Sequence, residues 1–68
     1  MAFTIEIDRE EDGRWIAEIP NLPGVMAYGK NRDEAIAKVE ALALRVLADR
    51  LEKNKKPAKP ATVTFAIA

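Results

Sequence analysis

The sequence has 68 residues, room for one domain and not for two. Its 11 basic and 11 acidic residues cancel, which excludes the strongly basic balance of a domain built to neutralise phosphates. With no cysteine and no histidine, disulfides, thiolate chemistry and imidazole ligands are excluded together, and no cofactor is expected. A chain this short hides only about 60% of its unfolded surface, so association is the expected supplement to a thin core. No apolar run approaches the roughly 20 residues of a membrane span, and no leader pattern is visible, so a cytoplasmic protein with no membrane contact is expected.

Phe3, Ile5 and Ile7 alternate with Thr4, Glu6 and Asp8, the period of a half-buried strand. After Glu10-Glu11-Asp12-Gly13 the alternation resumes at Trp15, Ala17 and Ile19, and Asp-Gly between two such runs predicts a hairpin. Both apolar sets are odd-numbered, so facing residues must sum to an even number. Ile7 then meets Trp15 or Ala17, Ile5 meets Ala17 or Ile19, and the loop has odd length, with Gly13 closing a bulge. Trp15 shares the parity of Ile5 and Ile7 and is expected in the core.

Pro20-Asn21-Leu22-Pro23-Gly24 breaks the ladder. Val25 to Tyr28 reads as a short third strand of ambiguous facing, ended by Gly29. Asn31 begins a helix, with Glu34 placed for a capping box and Asp33 and Glu34 placed for the helix dipole. Ile36, Val39, Leu42, Ala43, Val46, Leu47 and Leu51 form its apolar stripe, from Arg32 to about Lys53. Asn54-Lys55-Lys56-Pro57-Ala58-Lys59-Pro60 is a polar linker. Val63, Phe65 and Ile67 then alternate with Thr62 and Thr64 as a last strand. The prediction is a single α+β domain, β-β-β-α-β over residues 1–68, with strand order 3-2-1-4 and one long helix on one face.

Three groups of residues carry candidate chemistry. Glu6 and Asp8 share a face with Glu18 beside them, as a two-metal nuclease site would need, yet Arg9 and Arg14 are near enough to pair with them on a solvated surface. With neither His nor Cys, nucleophilic catalysis lacks its actors, and no enzyme is expected. Lys53, Lys55, Lys56 and Lys59 read as a solvated helix end rather than a nucleic-acid site, because no aromatic residue lies among them to stack on a base. Tyr28 is an interface candidate, while Leu22 and Pro23 read first as a rigid turn and second as a contact loop. Thr62, Thr64 and Phe65 lie on an edge strand that a second chain would complete, so a homodimer or higher oligomer is expected.

The ordered pieces Glu10-Glu11-Asp12-Gly13, Trp15, Ala17-Glu18-Ile19-Pro20, Leu22-Pro23-Gly24, Gly29 and Asn31-Arg32-Asp33-Glu34-Ala35 resemble the N-terminal domain of HicB-type antitoxins. The resemblance covers about forty residues, Phe3 to Ala43, and extends to short stand-alone HicB-like proteins. It implies a partial ribonuclease H fold without catalysis. The partner it implies is a HicA-type toxin, an mRNA-cleaving ribonuclease with a double-stranded-RNA-binding-like fold, whose active site the antitoxin masks. Many members of that family add a C-terminal helix-turn-helix or ribbon-helix-helix segment that binds their promoter. No such segment is read before Ala68, so no separate DNA-binding domain is expected. Asn31 stands where the family often has Ser or Thr, and the capping chemistry survives that change. A stand-alone oligomerising scaffold is the alternative function, and a divergent metal-dependent nuclease is a remoter one.

Overall fold

The computed structural model describes residues 1–57 and 62–68. Ala58, Lys59 and Pro60 of the expected linker lie outside the described residues. The elements are β1 (Ala2–Arg9), β2 (Trp15–Glu18), β3 (Met26–Gly29), α1 (Arg32–Asn54) and β4 (Thr64–Ile67). They form one sheet of order β3-β2-β1-β4. Its β1–β2 and β2–β3 pairs are antiparallel, and its β1–β4 pair is parallel. The predicted order and fold class are those found.

The hairpin follows from parity. Ile7 faces Ala17 and Arg9 faces Trp15, both even sums. Glu10 N–H donates to Arg14 C=O at 2.7 Å, and Gly13 N–H donates to Glu10 C=O at 3.0 Å. The loop is therefore Glu11-Asp12-Gly13, and Gly13 closes it at φ 90°. Odd positions bury Phe3, Ile5, Ala17, Ile19 and Val25 against Ala35, Val39, Ala43 and Leu47 of α1. Trp15 is half-buried against that cluster, with the Arg9 guanidinium 5.6 Å from its ring centre.

α1 starts as its sequence dictates. The Asn31 side chain accepts from the Glu34 N–H at 2.8 Å. Glu34 reaches back one residue beyond the expected cap, accepting from the Lys30 N–H at 3.3 Å and from Lys38 Nζ at 3.1 Å. These bonds, that of Lys38 first, hold the Glu34 carboxyl below the ordinary glutamate range. As pH falls, the unfolded chain takes up this proton first. The stabilisation is thus complete above about pH 4.3 and is lost as pH drops through the lower folded value. Urea denaturation at about pH 6 and about pH 3 should show a smaller acid-side loss in Glu34→Gln than in the parent chain.

The last two turns depart from expectation. Leu51, placed on the buried stripe by periodicity, is 41% exposed. A helix of 23 residues is roughly 34 Å long, whereas the eight-residue β1 spans only about 26 Å, so α1 overhangs the sheet. Lys55 closes the helix in the left-handed region, φ 55°, where its N–H donates to Leu51 C=O at 2.9 Å. Glycine adopts that conformation at little cost, so Lys55→Gly should raise stability by about 0.5–1 kcal/mol in thermal or urea unfolding.

A candidate partner-binding face

Strand alternation that turns odd residues toward α1 sends even residues to the opposite side, which no other described element covers. Across β3-β2-β1, Met26, Glu18 and Glu6 form one row, and Tyr28, Ile16 and Asp8 form the next. Ala2 and Thr4 of β1 face Thr64 and Ala66 of β4 on the same side. Met26 and Tyr28, each 41% exposed, place their side chains on this face. Glu6, Asp8, Ile16 and Glu18 line a shallow groove between them.

The three carboxylates are close in the sheet but make no ion pair among the described residues. Arg14, expected to neutralise them, turns instead to Asp12 at 2.7 Å and lies 4.5 Å over the Tyr28 ring. Arg9 is drawn to Trp15 on the far side. The backbone N–H of Arg14 and its guanidinium hold the Asp12 carboxyl below its usual range, the backbone bond contributing more. Glu6 directly faces Glu18, and like charges in that position destabilise a sheet by up to about 1 kcal/mol. Among the described residues no three carboxylates are placed to hold a metal ion.

The sequence-predicted contact residues do not come together. Tyr28 and Thr64 share the open face but sit on opposite edge strands. Pro23 is exposed, whereas Leu22 is 3% exposed. Its N–H donates to Ile19 C=O and its C=O accepts from Val25 N–H, and these two turns roll the side chain into the core. Leu22 is thus a core residue rather than a contact. The C=O of Thr62 accepts from the Met1 amino group, which ties the chain before β4 to the start of β1. Phe65 is half-buried on the helix side, its ring 6.0 Å from that of Phe3. Met26 and Ile16 were not singled out from sequence. Their place follows from the pairing of Ala17 with Ala27, which the irregular Pro20–Gly24 loop leaves open.

The lysines are dispersed. Lys53 pairs with Asp49 at 3.0 Å, Lys55 closes the helix, Lys56 is exposed, and Lys59 lies outside the described residues. Among the described residues, no helix is long and apolar enough to cross a membrane.

No family model and no solved structure matches the chain. Two archaeal proteins do. A UPF0150 protein of Thermoplasma acidophilum is 32% identical over 56 residues, covering 82% of this chain and 80% of that one. A UPF0150 protein of Archaeoglobus fulgidus is 40% identical over 45 residues, 65% of each. The aligned stretches are long relative to chains of this size, and on that likeness the chain belongs to the UPF0150 family.

Proposed function

We propose that the chain is a HicB-like binding protein that masks a small HicA-type mRNA-cleaving toxin by direct contact. The observation that carries this reading is the open sheet face, with Glu6, Asp8 and Glu18 beside Met26 and Tyr28. A ribonuclease surface that holds RNA is basic, and an acidic face complements it. The exposed apolar side chains add area that water would otherwise wet. The Glu6–Glu18 opposition costs the free chain stability and is relieved when a cation lies between them. The ordered HicB-like pieces from Glu10 to Ala35 point the same way.

The test is co-expression with a short basic protein of double-stranded-RNA-binding-like pattern from the neighbouring gene. A stable complex and rescued growth are expected; free toxin and arrested growth would overturn the reading. Glu6→Lys with Glu18→Lys should weaken the complex by about 30-fold, since each exposed charge pair contributes up to about 1 kcal/mol and reversal adds repulsion. Glu18→Gln alone should stabilise the free chain by about 0.3 kcal/mol while weakening the complex, as calorimetry and urea denaturation would show. A stand-alone oligomerising domain is the second reading, favoured by the outer edge of β4, with which no described strand pairs.

A further inference from the structure

We propose that β4 is completed by β4 of a second copy of this chain, running antiparallel, so that two four-stranded sheets join into one. The proposal goes beyond the toxin reading and does not rest on it, because it concerns the sheet's edge and not its acidic face.

The backbone supplies the first argument. Thr64 N–H donates to Met1 C=O at 2.8 Å, and Ala68 N–H donates to Ile5 C=O at 2.9 Å. Even-numbered residues of β4 therefore point their amides at β1, and Phe65 and Ile67 point theirs away from it. No described strand pairs with that outer side. An unpaired ladder of this kind is usually blunted by lysine, proline or a bulge, and Val63 to Ala68 has no charged side chain and no proline. The other edge is managed differently. β3 follows Pro23-Gly24, is succeeded by Lys30 and Arg32, and takes most of the contact with α1.

Side chains supply the second argument. α1 packs over β3, β2 and β1 but scarcely reaches β4. Phe65 is only half-buried and Ile67 is 47% exposed on the side α1 leaves bare. Outward amides at odd residues require odd to pair with odd. That keeps Phe65 and Ile67 of both copies on one side, where they cover each other.

Charge selects the occupant. The strip has no charged side chain, so a basic partner finds no side chain to pair with there, while an identical strip brings no side-chain repulsion and matches its own apolar pattern. A two-fold pairing also closes on itself and leaves no further edge to propagate from β4. It adds burial to the thin core that a chain of this length builds alone.

The experiment is light scattering after size exclusion at micromolar concentration, with hydrogen exchange on the same sample. The parent chain is expected at twice the chain mass, with the Phe65 and Ile67 amides protected. Ile67→Lys, at a site already half exposed, should give the single-chain mass, an unchanged circular dichroism spectrum and fast exchange at Phe65. A single-chain mass for the parent overturns the proposal, as does a dimer in which Phe65 and Ile67 exchange freely. A dimer that persists in Ile67→Lys overturns it too. The exchange readout needs no variant, so misfolding of Ile67→Lys would leave the proposal testable. Toxin capture measured in parallel separates its failure from failure of the masking reading.

Discussion

Gly29→Ala should destabilise the domain by about 3 kcal/mol, enough to leave much of the chain unfolded. Gly29 is the last residue of β3, opposite Trp15, where α1 begins to cross the sheet. A methyl group there would strike the backbone nitrogen of Ala35, lie 2.9 Å from its Cα, and lie 3.0 Å from the Asn31 carbonyl oxygen. These are main-chain atoms of a capped helix, and no rotamer change can move them. Either α1 lifts from the sheet or the strand bends. Lifting the helix would open the packing of Ala35 and Val39, both 0% exposed. Inserted core methylenes commonly cost about 1–3 kcal/mol, and a backbone clash belongs at the upper end. The smaller entropy of unfolded alanine returns under about 1 kcal/mol. Urea denaturation followed by circular dichroism measures the difference. A change below about 0.5 kcal/mol would mean that α1 is not seated on Gly29.

Ile5→Ala is expected to cost about 3–4 kcal/mol. Ile5 lies in the inner strand β1, is 1% exposed, and belongs to the cluster that joins the sheet to α1. Removing its outer carbons loses their transfer energy and leaves a cavity. Ala17, Ala35 and Ala43 line the same core with side chains too short to fill it. A domain of this length holds only about 3–5 kcal/mol in total, so the variant should be largely unfolded at 25 °C. Thermal unfolding at fixed protein concentration checks it, the concentration being held because association raises apparent stability. A variant that melts cooperatively near the parent would show that the core is organised around other residues.

Much of this architecture was legible wherever a residue's role depends on near neighbours in sequence. Alternation in Phe3–Ile7 and Trp15–Ile19 set which side each residue faces, and parity then set the odd loop at Gly13. Asn31 and Glu34 marked the helix start because capping is local chemistry. What was hidden depends on approach through space. Val25, Met26, Ala27 and Tyr28 are all fairly apolar, and only pairing with β2 decides that Met26 and Tyr28 face outward. Leu22 sits in a loop without a period, so nothing local shows that two turns bury it. Gly29 could be read as the end of a strand, but the reason no larger residue fits is the helix above it. Leu51 follows the helical period past the point where the sheet ends, which no periodicity reveals. The acidic face is an intermediate case. Glu6, Asp8 and Glu18 were seen to share a side, whereas the turning of Arg14 to Asp12 and Tyr28 was not.

The acidic face is also where the central claim is most exposed to test. Amide chemical shifts of the chain, recorded as purified HicA-type toxin is added, report which surface is covered. Masking by the open sheet face predicts the largest changes at Glu6, Asp8, Ile16, Glu18, Met26 and Tyr28, with α1 little affected. Changes confined to α1, or none at equimolar toxin, would contradict the account.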